Sequence, residues 1–196
     1  MTEKTLVLIK PDAVKKSISG KIISKFEDAG LKIVGIKMMW ADEELAKNHY
    51  YLDEVWAKSV YEKTKKSYAD RGKDFPYKDP LDVGKQIQHW NMEFLMEGPV
   101  IAMVLEGPSA IEIVRKMVGS TEPKSSAPGT IRGDFASIES YAVADYEKRV
   151  LRNLVHASDS QESAKREIGL WFNMDEIHSN YRTITDLLLR EYHPEE

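Results

Sequence analysis

The 196 residues are enough for one domain with a sizeable core, and a hydrophobic share of 42% is too high for a disordered chain. Lys and Arg number 28 against 32 Asp and Glu, and the resulting formal charge of −4 argues against a dedicated nucleic-acid binder. The absence of cysteine excludes disulfides, thiolate metal sites and a cysteine nucleophile, and no apolar run approaches membrane-spanning length. No charged-then-apolar signal segment follows Met1, so the expected location is the cytoplasm, away from any membrane.

Thr5 to Ile9 are β-branched and apolar and predict a strand buried on both faces, ended by Lys10-Pro11-Asp12. Ile18, Ile22, Ile23 and Phe26 recur at helical spacing, with Gly30 as the C-cap. Leu31 to Trp40 reads as a second strand, and Asp42-Glu43-Glu44 opens an acidic first helical turn running towards His49-Tyr50. Trp56, Val60, Thr64 and Tyr68 predict an amphipathic helix, broken at 71–76. Val83, Ile87, Trp90 and Phe94 predict another, ended by Gly98-Pro99. Val100 to Leu105 is a third strand. Ser109 caps a helix through Val118, which Gly119 stops, and Ser120 to Phe135 reads as a loop. Leu151 to His156 is a fourth strand and Gln161 to Trp171 a closing helix. The core order βαββαβ predicts an α+β, ferredoxin-like sandwich. Its four-stranded antiparallel sheet carries helices on one face, with helical insertions besides.

The run Arg152-Asn153-Leu154-Val155-His156-Ala157-Ser158-Asp159-Ser160 places a histidine at a strand-to-helix corner. Imidazole is neutral near pH 7 and a competent nucleophile there, although a strand-end histidine is also an ordinary structural residue. Lys10, Arg115, Thr121, Arg132 and Asn153 supply cations, a hydroxyl and an amide suited to a polyphosphate. Each has a plainer reading: a surface lysine, or an Arg115–Glu112 pair on one helix. Neither G-x-x-x-x-G-K-[ST] nor G-x-G-x-x-G occurs. Composition and pattern alone reach a soluble α/β domain with a candidate anion site.

Four strings go further: L-I-K-P-D-A-V from Leu8, G-P-V-I-A-M-V-L-E-G from Gly98, P-G-T-I-R-G-D-F from Pro128, and N-L-V-H-A-S-D-S-Q-E-S-A-K-R-E-I-G-L-W-F from Asn153. In this order they resemble nucleoside diphosphate kinases, over most of residues 4–50, 98–135 and 152–172. The resemblance implies ping-pong transfer of the γ-phosphate of ATP or another nucleoside triphosphate to a nucleoside diphosphate through a phosphohistidine on His156. It implies phosphate contacts from Lys10, Arg115, Thr121 and Arg132, and a sugar contact from Asn153. Tyr50 falls near the phosphate and histidine, Glu167 bonds the histidine's other ring nitrogen, and the Ser158 hydroxyl supports Glu167. It also implies Mg²⁺ held mainly by the nucleotide phosphates, with no dedicated protein cage.

The family's usual pattern is interrupted by inserts around 53–90 and 136–151, within one domain spanning 1–196. The aromatic that packs on the base in the family comes from the first insert and its apolar partner from the second, and both stay unassigned, with Phe75 and Ile87 as alternative matches for the first. Ala157 and Ala13 stand where glycine is usual, which requires Ala157 to avoid positive φ. The family assembles as homo-oligomers, and Pro123 matches a loop proline that favours a hexamer over a tetramer. The tail from Thr183, with Leu187-Leu188-Leu189, covers an interface or packs on its own subunit. The competing function is a catalytically silent nucleotide- or nucleic-acid-binding ferredoxin-like module, with Lys63, Lys65, Lys66, Arg71 and Lys73 as a basic face.

Overall fold

In the computed structural model, which describes residues 2–192, one antiparallel sheet runs in the order β2-β3-β1-β4. Its strands are β1 (Thr2–Ile9), β2 (Lys32–Met39), β3 (Val100–Pro108) and β4 (Val155–Ala157). β1 lies in the middle, pairing Thr2–Ile9 with Pro108–Ile101 on one side and Val7–Ile9 with Ala157–Val155 on the other. The helices are α1 (Pro11–Lys15), α2 (Ser19–Asp28), α3 (Glu43–His49), α4 (Glu54–Asp70), α5 (Pro80–Met96), α6 (Ala110–Val118), α7 (Ile131–Phe135), α8 (Tyr141–Tyr146), α9 (Gln161–Trp171) and α10 (Ile184–Tyr192).

Strand alternation sorts the core into two clusters. Val7, Ile9, Met103 and Leu105 meet Ile22 and Phe26 of α2 and Val114 and Val118 of α6. Leu6, Leu8, Ala102 and Val104 point the other way, onto Ala46 of α3, Leu95 of α5 and Trp171 of α9. Helices thus cover both faces, where the sequence pattern predicted one. The continuous burial of β1 from Leu6 to Ile9 has this cause. Each fully buried Leu, Ile, Val or Phe contributes about 1.5–3 kcal/mol, which outweighs the small intrinsic stability of five-residue helices such as α1 and α7.

Most predicted boundaries hold within two or three residues, and three features differ from the prediction. The fourth strand is only three residues long, because the backbone before it is not extended. Ser109 stands at the N-cap of α6 but lies at φ 47 and makes no capping bond. The predicted loop 120–135 contains a 3₁₀ turn (Pro123–Ser125) and α7, whose cap is the Thr130 hydroxyl accepting from Gly133 N–H at 3.1 Å. Gly30 (φ 77) and Gly119 (φ 86) do end their helices in the left-handed region. The chain also folds back along β2: His178 N–H donates to Val34 C=O at 2.6 Å, and the Tyr181 hydroxyl to Ile33 C=O at 2.6 Å. The tail predicted from Thr183 begins as α10, with Thr185 against Gly30, and its last four residues lie outside the described ones.

Gly133 shows how tightly α7 is seated. A Cβ there would lie 2.1 Å from Ala127 carbonyl oxygen and 2.9 Å from Thr130 Oγ1. Gly133→Ala should cost about 1–3 kcal/mol in urea unfolding, because the clash is with backbone that has no rotamer to yield. An unchanged midpoint would contradict this packing.

Candidate active site

The site is organised by the segment that follows β1. Proline at 11 cannot extend the ladder, so the chain turns into α1 directly after Lys10. Lys10 N–H donates to Leu154 C=O at 2.8 Å. The Asp12 carboxylate accepts Ala13 N–H at 2.9 Å with one oxygen and Leu154 N–H at 3.0 Å with the other. Held this way, Leu154 adopts φ 67 with its side chain fully buried, and Val155 N–H reaches back to Asn153 C=O at 2.7 Å. A tight turn of this kind costs about 1–3 kcal/mol and persists only where the surroundings over-determine it. The positive φ sits here and not at Ala157, which lies in β4; Ala13 is buried in α1.

β4 then presents His156, paired with Leu8 across the ladder. Its Nε2 lies 2.9 Å from Glu167 Oε2. The same oxygen accepts the Ser158 hydroxyl at 2.7 Å, and Arg166 donates to Glu167 Oε1 at 3.3 Å. Ser158 is itself fully buried and tied to Leu6 through its backbone N–H at 3.1 Å. Burial opposes ionisation of Glu167, but the bonds from His156 and Ser158 and the charge of Arg166 outweigh it, holding the carboxyl below its ordinary value. An ionised carboxylate only accepts, so His156 Nε2 carries the proton. Nδ1 is left with a lone pair and no hydrogen-bond partner among the described residues.

The cations gather in front of this ring. Lys10 is 6% exposed and donates to Asn153 Oδ1 at 2.6 Å; Asn153 Nδ2 donates in turn to Thr121 C=O at 2.9 Å. Burial, then the nearby Arg132, bring the Lys10 pKa down to about 7. Arg132 is fixed by carbonyls: Asn153 at 3.0 Å, Gly119 and Ser120 at 3.0 Å each, and Val155 at 2.7 Å. That engages four of its five N–H groups and leaves charge plus one donor for a ligand, fewer than a free Arg fork offers. Burial and the charge of Arg115 lower the Arg132 pKa to about 10. Arg115 is exposed and makes no ion pair among the described residues, so the Glu112 contact is not formed. The Tyr50 hydroxyl is buried without a partner, and burial, then Glu167 and Asp12, push its pKa up.

These groups line one end of a cavity of about 500 Å³, within the range of small-molecule sites. Every residue given a catalytic, phosphate or sugar role from the sequence lines it except Ser158, which stands behind Glu167. The other end is built from α4, α5 and the α8 region: Trp56, Val60 and Ile87 face Ala144, Val150 and Leu151. Ile87 therefore lines the cavity, while Phe75 packs instead among Tyr61, Tyr68 and Tyr77. Arg71 at the end of α4 reaches Asp145 of α8 at 2.5 Å and ties the two walls together. Lys63 and Arg71 of the basic run face the cavity too.

Sequence reasoning missed His49 and Trp56, which also line the site. Trp56 was hidden in a stripe spaced by four that looked like core. His49 was visible only as the end of a helix.

The nucleoside diphosphate kinase family profile matches residues 3–71 and 81–177. A nucleoside diphosphate kinase of Pyrobaculum aerophilum is 48% identical over 89% of this chain and 97% of its own length. One of Pyrococcus horikoshii is 44% identical over 90% and 88%. Among solved structures, an NDP kinase from Pyrobaculum aerophilum superposes with a TM-score of 0.87 at 45% identity, covering 91% of this chain and all of the other. The nucleoside-diphosphate kinase of Borrelia burgdorferi, a transition state mimic with bound vanadate and ADP, gives 0.78 at 34%, covering 95% and 96%. With the fold, the profile and relatives over nine-tenths of its length in agreement, the chain belongs to the nucleoside diphosphate kinase family of phosphotransferases.

Proposed function

We propose that His156 carries the phosphoryl group in a ping-pong exchange between nucleoside tri- and diphosphates. The observation that supports this most directly is the tie between His156 Nε2 and Glu167, which leaves Nδ1 as the free nitrogen beside Lys10, Arg115 and Arg132. Nδ1 attacks the γ-phosphorus; the new N–P bond forms as the bond to the β-phosphate oxygen breaks, and the nucleoside diphosphate leaves with the electron pair. The second nucleotide runs the step in reverse. Glu167 stabilises the positive charge that grows on the ring, and Ser158 holds Glu167. Lys10, Arg115, Thr121 and Arg132 take the phosphates, with Tyr50 offering its unpartnered hydroxyl beside them. Asn153, its amide already oriented by Lys10 and Thr121, takes the sugar.

Magnesium fits as an ion brought by the nucleotide. Ligand atoms of His49, His156 and Glu167 lie within 4.8 Å of one another, but two of the three are imidazoles and Glu167 is already bonded. Mg²⁺ prefers oxygen ligands, which phosphate oxygens held by Lys10 and the arginines would offer, and when bound it would supply charge that neutralises the phosphates.

We read residues 1–196 as one kinase-like domain in which the segments around 53–90 and 136–151 build the base end of the cavity. Trp56 and Ile87 on one side and Val150 and Leu151 on the other offer apolar faces to a base. A homo-oligomer is supported by the outer strand β2, which exposes Ile36 and Met38, with Trp40 just past its end, beyond the stretch covered by His178 and Tyr181. Pro123 favours the hexamer. Among the described residues no helix is long and apolar enough to cross a membrane, and the lack of cysteine supports a cytoplasmic setting.

Incubation with γ-labelled ATP and magnesium should give an acid-labile, alkali-stable phosphoprotein. His156→Ala should abolish the label, and Glu167→Gln should slow its appearance by more than about tenfold. No label on the wild-type protein would favour a silent nucleotide-binding module instead.

The lowered Lys10 pKa gives a proton signature. At pH 8 the free Lys10 is mostly neutral, since its pKa is about 7, and a bound polyphosphate favours its charged form. Diphosphate binding at pH 8 should therefore take up a proton, read as a calorimetric enthalpy that varies with buffer ionisation. Lys10→Met should remove that variation. At the base end, Trp56→Ala should lower kcat/KM more for purine than for pyrimidine diphosphates, by about fivefold, because the larger ring loses more stacking area.

A further inference from the structure

His49 takes no part in the transfer as set out, yet it is the titratable ring packed closest against the nucleophile. It is 4% exposed, and its ring centroid lies 4.5 Å from that of His156 at an interplanar angle of 81°. Its Nδ1 accepts the Trp171 indole N–H at 3.2 Å. An indole can only donate, so Nδ1 is the unprotonated nitrogen and the proton of the neutral ring sits on Nε2, which has no partner. Lys10, Arg166, His156 and Tyr50 surround the ring. Burial first, then the charges of His156, Arg166 and Lys10, keep its pKa well below the ordinary imidazole value, so it stays neutral.

This arrangement answers a geometric need. The bond from His156 Nε2 to Glu167 sets which nitrogen faces the carboxylate, but a hydrogen bond tolerates about 30° of misalignment. Rotation of His156 about its Cβ–Cγ bond within that tolerance would swing Nδ1 off the line of attack. A ring standing perpendicular to His156 blocks that rotation. His49 cannot itself tilt freely, because Trp171 holds Nδ1 and Tyr50 packs at 4.7 Å on its other contact. A phenyl ring would fill the same space but leave the buried indole N–H without an acceptor.

We propose that His49, locked as a neutral Nε2–H tautomer by Trp171, is a positioning residue that holds the His156 ring plane for in-line attack. The proposal rests on His156 being the phosphorylated residue.

Two measurements test it. Long-range ¹H–¹⁵N spectra of the wild-type histidines should show His49 neutral with its proton on Nε2 from about pH 6 to 9, a window in which an ordinary imidazole, with a pKa of about 6.5, titrates. A proton on Nδ1, or an ordinary titration, would overturn the proposal without any substitution being needed. In rapid-quench single turnovers, folded His49→Ala and Trp171→Phe should phosphorylate about tenfold more slowly at saturating ATP, with KM within about twofold of wild type. ³¹P spectra of these variants should show some Nε2-phosphohistidine beside the Nδ1 isomer, and His49→Gln, which keeps a donor and an acceptor, should partly restore the rate. Wild-type rates and a single Nδ1 isomer in the variants would sink the positioning role alone. Absence of label on wild-type His156 would sink the transfer reading on which it stands.

Discussion

Two oxygens of one buried carboxylate hold the site together. Asp12 accepts Ala13 N–H in the first turn of α1 with Oδ1 and Leu154 N–H with Oδ2, so the end of β1 and the start of β4 become one rigid joint. Leu154 has no local preference for φ 67, since its Cβ disfavours the left-handed region. The carboxylate, the Lys10 N–H and full burial of the leucine side chain impose it together. The turn sends Asn153 towards Lys10 and lets β4 begin at Val155, with His156 on the cavity side and Ala157 in ordinary strand geometry. Loss of Asp12 would free Leu154 N–H and release every group placed by that turn.

The same joint explains the electrostatics. Lys10 and Arg132 are packed against β4 where water cannot screen them, and both are shifted towards the neutral form. Carbonyl oxygens hold Arg132 in place in spite of that cost, and a single amide oxygen holds Lys10. Positive charge concentrated in this way is destabilising to the empty site and favourable to a polyphosphate, which makes affinity out of stored repulsion. Glu167 runs the opposite way: hydrogen bonds keep it ionised despite burial, so that the imidazole beside it faces a full negative charge.

How much of this was legible in the sequence depended on the range of the interactions. Apolar periodicity carried β1, α2 and α5, and Gly30 was readable as a C-cap because capping is local. The four motif strings contain His156, Lys10, Arg132 and Asn153, the resemblance in the stretches between them added Arg115 and Thr121, and all six line one cavity. What failed was set by distant partners. Leu151 to His156 reads as strand, but Asp12, some 140 positions away, bends it at Leu154. Ser109 reads as a cap, but its backbone turns the wrong way. The two-sided burial of β1 was legible, but that helices cover both sheet faces was hidden, because α3, α5 and α9 arrive from three separate parts of the chain. His49 was missed for the same reason: its meaning lies in Trp171 and His156, neither of which is near it in sequence.

The two ends of the cavity are made of different material, and this bears on how they respond to change. The phosphate end is mounted on β1, α7, β4 and α9, where Lys10, Arg132, Asn153 and His156 each have a hydrogen-bond partner. The base end is mounted on α4, α5 and α8, with α4 and α8 joined across the cavity by the ion pair Arg71–Asp145 and by apolar contact. Half-buried ion pairs contribute little, so the base end is the softer of the two. Substitutions there alter which base is held and how firmly, while the transfer geometry is set by bonds that do not cross into it. Such a division lets the helical segments diverge in sequence without disturbing His156, Glu167 or the cations around them.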